Sequence, residues 1–132
     1  MGADTPVDSI GAVPAAVPVQ IFGPENDQAT RAAQRFFKER RVVISFVDLR
    51  KRPIAAGELR RFVEKLGARA VADTDGRAWR DAGLAYLAMD DAELAERLLA
   101  DQRLLCLPLI RAGNTLSAGR DEAAWRRMVG GG

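Results

Sequence analysis

Apolar and polar positions follow two rhythms along this chain, and the switches between them predict its elements. Val17-Pro18-Val19-Gln20-Ile21-Phe22 is a short apolar run broken by Gly23-Pro24, the signature of a buried strand. Ala29, Ala33, Phe36 and Phe37 then repeat at helical spacing, predicting a helix from Gln28 to about Arg40 with Asp27 as its N-cap. Val42 to Val47 is β-branched and bounded by charge, a second strand. One helix lies between the two strands, so a right-handed, parallel β-α-β unit is expected.

The helical period returns at Leu59, Phe62, Val63 and Leu66, and Gly67 stops it. Asp73-Thr74-Asp75-Gly76 is a turn, and Arg77 to Ala82 makes one or two helical turns ended by Gly83. Asp90 or Asp91 caps a further helix, with Glu93 in its first turn and Leu94, Leu98 and Leu99 facing inward. Leu107 to Arg111 and Thr115 to Ala118 flank Ala112-Gly113-Asn114, a hairpin pattern. Asp121 caps a last helix bearing Ala124, Trp125 and Met128, before a frayed Gly130–Gly132 end. Met1 to Ala16 has no periodicity and is rich in Gly, Ala, Pro and Asp; it is expected to be a disordered extension of a domain spanning residues 17–129.

The order β-α-β, helices, β-β-α predicts a thioredoxin-like α/β fold. Its core is a four-stranded mixed sheet flanked by helices, with a helical insertion before the C-terminal hairpin. A chain of 132 residues, 48% apolar and 29% charged, suffices for one such core.

Composition removes several chemistries. The single cysteine, Cys106, excludes an internal disulfide and a cysteine-built metal site, and the chain has no histidine. Zinc chemistry and Ser-His-Asp catalysis are thereby excluded. No apolar run reaches bilayer length and Met1 to Ala16 lacks Lys and Arg, so neither a membrane span nor a secretory leader is expected, and the location expected is cytoplasmic. The net charge is +2 with a pI of about 9.1. Arg40-Arg41, Arg50-Lys51-Arg52 and Arg60-Arg61 read as solvated faces; no aromatic residues interleave with them, so direct nucleic-acid binding is not expected.

Four stretches then carry a resemblance. Ile21-Phe22-Gly23-Pro24-Glu25-Asn26-Asp27 lies at a strand-to-helix loop. Phe46-Val47-Asp48-Leu49-Arg50-Lys51-Arg52-Pro53-Ile54 leads through Glu58-Leu59 to Leu66-Gly67. Asp73-Thr74-Asp75-Gly76-Arg77-Ala78-Trp79-Arg80 is followed by Gly83-Leu84. Leu107-Pro108-Leu109-Ile110 leads to Gly119-Arg120-Asp121-Glu122. In this order the stretches resemble the arsenate reductase ArsC/Spx family of thioredoxin-fold proteins.

The resemblance implies a reactive cysteine before the first helix, Cys-x-x-Cys in the regulator branch. The matching window here is Asp27-Gln28-Ala29-Thr30, which has neither cysteine. It also implies an oxyanion-binding arginine before the proline, where this chain has Leu107.

Each candidate residue has a structural and a functional reading. Asp27 reads as an N-cap, or as a general base in a repurposed site; with Glu25 it repels an oxyanion. Thr30 is expected to bond back to a helix carbonyl. Pro108 matches the fold's cis-proline, with a structural role or a part in pairing with an extended peptide. Cys106, among Leu104, Leu105 and Leu107, reads as a small core residue or as a thiol near the vacant loop. Arg77 and Arg80 are cations for an anionic ligand, or surface partners of Asp73 and Asp81. Asn26, Arg77, Arg80 and Pro108 form the candidate binding set. Trp79 and Trp125 are assigned to the core.

Two functions from different classes follow. One is a non-redox binding or regulatory protein, a pseudoenzyme that has lost the active-site cysteine; the resemblance suggests RNA polymerase or a glutaredoxin as partner. The other is an arsenate reductase or glutaredoxin-like oxidoreductase that uses Cys106 with an external thiol such as glutathione. A glutathione-binding module is a third reading by fold analogy. No resident cofactor is expected.

Overall fold

The computed structural model describes residues 18–130; the tail expected to be disordered, Met1 to Ala16, lies outside them. Four strands and six helices follow in order. They are β1 (Val19–Gly23), α1 (Gln28–Glu39), β2 (Ile44–Asp48), α2 (Ala56–Leu66), α3 (Ala68–Val71), α4 (Arg77–Asp81), α5 (Asp91–Ala100), β3 (Leu109–Ala112), β4 (Thr115–Ala118) and α6 (Glu122–Val129). Single 3₁₀ turns at Leu84–Tyr86 and Gln102–Leu104 flank α5.

The sheet order is β2-β1-β3-β4. β1 pairs parallel with β2, with Ile21 opposite Phe46, and antiparallel with β3, with Ile21 opposite Ile110. β3 and β4 form the hairpin. This is the predicted mixed sheet, with α3, α4 and α5 forming the insertion before the hairpin.

Pleating separates two cores. Val19 and Ile21 of β1 join Ile110 against Ala33 and Phe37 of α1 and Trp125 of α6. Phe22 and Leu109 turn to the other face, where Leu59 and Phe62 of α2, Trp79 of α4, and Leu94 and Leu98 of α5 complete a larger cluster. Both tryptophans are buried, one in each layer.

The starts of β2 and β3 differ from the sequence reading. β2 starts at Ile44 rather than Val42, because the chain first closes α1: Val42 N–H donates to Phe37 O, and Arg41 takes a left-handed φ of 60°. β3 starts at Leu109 rather than Leu107. Pro108 has no N–H for the ladder, and the carbonyls of Cys106 and Pro108 both accept from Gly119 N–H instead. Gly67 ends α2 as predicted, but the chain re-enters a helix at once as α3, an element the periodicity missed because it is four residues long. Asp90 rather than Asp91 caps α5, in a capping box with Glu93.

Candidate functional site

The candidate site lies where β1 ends, α1 begins and the chain returns at Cys106 to Pro108. Asp27 N–H closes a turn onto Pro24 O at 3.0 Å. Its side chain then caps α1, Oδ2 accepting from Thr30 N–H at 2.9 Å. The same oxygen accepts from the Thr30 hydroxyl at 2.9 Å. Thr30 therefore does not bond back to a helix carbonyl as expected: the carboxylate three residues before it is the stronger acceptor, and the buried hydroxyl turns to it. Gly23 makes room for this arrangement. A Cβ there would press on Thr30 Oγ1 and stand 3.1 Å from its Cγ2.

Cys106 departs from the expected core placement. It is half-buried, its N–H donates to Val71 O at 2.7 Å, and its Sγ packs against Gly119, where an added Cβ would come within 2.7 Å. Burial pushes the thiol pKa up, and the Asp73 and Asp27 carboxylates push it further the same way. The thiol is thus held neutral at physiological pH. Leu107 is half-buried, and Pro108 is buried behind the cis Leu107–Pro108 peptide bond that the sequence predicts. The Pro108 carbonyl accepts from Gly119 N–H at 2.9 Å, which ties the cis-proline to the end of β4.

The predicted binding set does not converge. Arg77 pairs with Asp81 at 3.6 Å, one helical turn along an exposed face, and Arg80 donates to Asp75 O at 2.6 Å. Asn26 instead borders a groove with Arg31, Arg35, Lys38 and Arg50. Arg77 thus makes the surface pair expected with Asp81, whereas Arg80 bonds a backbone carbonyl instead of Asp73 or Asp81.

Sequence reasoning missed a clamp that joins the first two loops. Asp48, at the end of β2, accepts through Oδ1 from Glu25 N–H at 3.2 Å and Arg50 N–H at 3.0 Å. Arg50 Nη2 bridges Asp48 Oδ2 at 3.1 Å and Glu25 Oε1 at 2.9 Å. The Arg50 side chain, first of all, holds the Asp48 carboxyl down at a pKa of about 2, against the opposing effect of its own burial. The Arg50 guanidinium is raised in return, chiefly by its bond to Asp48. A signal was present in the sequence: Asp48 and Arg50 stand two apart just after a strand, the spacing of a side chain that closes its own turn. Among the described residues no three of Asp, Glu, His or Cys cluster as metal ligands, and no helix is long and apolar enough to cross a membrane.

The mixed sheet, the flanking helices and the loop facing a cis-proline define a thioredoxin-like protein. The chain belongs to the ArsC family, whose model matches residues 22–128. Solved structures agree on the fold. The YffB protein is 20% identical, with 84% of this chain and 98% of that one covered at a TM-score of 0.76. An arsenate reductase from Vibrio cholerae is 16% identical, with 86% and 98% covered at a TM-score of 0.73. An ArsC family related protein from Bacteroides fragilis is 14% identical, with 83% and 96% covered at a TM-score of 0.74. No curated protein sequence matches the chain closely enough to count as a relative.

Proposed function

We propose that this ArsC-family chain is a non-redox binding protein, regulatory in role, whose family site has lost its thiol. One observation carries the reading: the carboxylate of Asp27 occupies the α1 N-terminus and takes both donors of Thr30. A carboxylate there cannot attack arsenic, and it repels an oxyanion. The remaining thiol, Cys106, has a raised pKa and no cation among its perturbing neighbours, which is the reverse of an activated nucleophile. Leu107 offers no charge to an oxyanion. A cytoplasmic setting fits this reading, with RNA polymerase or a glutaredoxin as the partners to try first by pull-down.

Arsenate turnover with glutathione and glutaredoxin tests the loss of chemistry. No turnover is expected. Alkylation of Cys106 should be slow at neutral pH, and its rise with pH should level off only above the ordinary thiol value of 9.0. Arsenate reduction that disappears in Cys106→Ser would overturn the reading and make Cys106 the nucleophile of a reductase.

A further inference from the structure

Resting on that reading, we infer the kind of partner this protein binds: an acidic protein segment carrying a leucine-sized apolar side chain, docked across two adjoining grooves beside the Asp27 loop. Arg31, Arg35 and Lys38 follow one another at i, i+4 and i+7, which places them in one exposed stripe along α1. With Asn26, Gln34 and Arg50 they border a groove of about 450 Å³. Arg50 is also on the rim of a second groove, of about 350 Å³. The floor of that one is apolar, built from Pro24, Leu49, Pro53 and Leu107, and Lys51, Arg52 and Arg103 stand around it.

Charge on this surface is unbalanced. Glu25 and Asp48 are both committed to Arg50, and Asp101 to Arg103. Arg35, Lys38, Lys51 and Arg52 have no ion-pair partner among the described residues. The Asp48 clamp fixes Arg50 between the two grooves, so this shared cation is held in one arrangement before a partner arrives.

The floor decides the class of partner. Neither groove is lined by an aromatic residue, so nucleobases find no stacking platform. A phosphodiester backbone would also leave the Leu49 and Leu107 surface uncovered. An acidic peptide satisfies both halves, its carboxylates on the α1 stripe and its apolar side chain on the Leu107 floor. Leu107 thereby acquires a use, as the apolar anchor point where the family resemblance implies an arginine.

Fluorescence anisotropy on the full chain tests this with a short fluorescein-labelled peptide of Glu, Asp and Leu. Its comparison probes are the same peptide with Gln and Asn for the acids, the same peptide with Ser for Leu, and a labelled oligo-dT. The acidic peptide should bind, and should weaken at least about tenfold as salt rises from about 50 to about 500 mM. Arg35→Glu with Lys38→Glu should cost about tenfold or more, and Leu107→Ser about fivefold. Reversing the exposed pair Arg60 and Arg61 on α2 should change affinity less than about twofold. Circular dichroism confirms that each variant is folded. No binding of the acidic peptide, equal binding by the Arg35/Lys38 double variant, or tighter binding of oligo-dT would overturn the inference. The titration involves no thiol, so its failure leaves the arsenate assay untouched. Arsenate turnover, conversely, would overturn the non-redox reading without moving the titration.

Discussion

At Gly23, space rather than backbone conformation excludes a side chain, since its Cβ would meet Thr30, which is itself held by Asp27. Gly23→Ala should destabilise the fold by about 1–3 kcal/mol, as overpacking does. In a Thr30→Ala background the same change should cost less, and urea titration of the four proteins reads that coupling. Equal costs in both backgrounds would mean that the Gly23–Thr30 approach is not what limits the site. Asp27 invites a second substitution. In Asp27→Cys, Cys106→Ser protein, the Thr30 N–H that now meets the carboxylate would meet a thiolate. The new thiol should titrate below the ordinary thiol value of 9.0 when followed by thiolate absorbance. A value at or above it would mean that the α1 N-terminus does not stabilise the anion. Leu107→Arg should then be needed for appreciable arsenate turnover, since the loss of one oxyanion donor typically costs on the order of 100-fold.

Between elements, the Asp48 clamp ties the loop after β2 to the loop after β1. Its pH signature has a definite sign. The folded carboxyl titrates at about 2 against an ordinary 3.8, so its contribution to stability is complete above about pH 4 and is lost as pH falls toward 2. Asp48→Asn keeps an acceptor for the Glu25 and Arg50 N–H groups but removes the charge. The variant should be less stable at pH 7 and flatter through this acid window, as measured by urea midpoints at successive pH values. A parallel decline in both proteins would place the acid sensitivity elsewhere. The elements themselves were largely legible in the sequence, because α1, α2 and α6 each repeat apolar residues at helical spacing and the caps Asp27, Asp90 and Asp121 all accept from the helix they precede. What escaped was short or cooperative. α3 is too brief to show a period, and the start of β2 depends on how Arg41 and Val42 close the preceding helix. The site was legible as a loop around Asp27, Thr30 and Pro108. Its neighbours were not: proximity of Asp48 to Glu25 depends on the parallel register of β1 and β2, which places Gly23 opposite Asp48. Arg77 and Arg80 meet Asp81 and the Asp75 carbonyl, local partners that charge alone does not specify.

Over the whole molecule, β1 and β3 serve two cores at once. Ile21 and Ile110 are packed with α1 and α6, while Phe22 and Leu109, their immediate neighbours in sequence, are packed with α2 and α5. Neither layer has a sheet of its own, so neither should survive loss of the other. The two tryptophans make this measurable, since Trp79 sits in the larger layer and Trp125 in the smaller, both nearly inaccessible to solvent. In Trp79→Phe protein the fluorescence reports the α1–α6 layer, and in Trp125→Phe protein it reports the α2–α5 layer. Within each variant, urea unfolding followed by that single tryptophan should coincide with unfolding followed by far-ultraviolet circular dichroism, the mark of one cooperative transition. Adding Leu109→Ala or Ile110→Ala should cost about 2–5 kcal/mol and shift both probes together, although each change opens space in only one layer. If Ile110→Ala moved the Trp125 signal and left the Trp79 signal where it was, the shared strands would not be coupling the layers. The insertion of α3, α4 and α5 would then be a separate folding unit resting on the sheet.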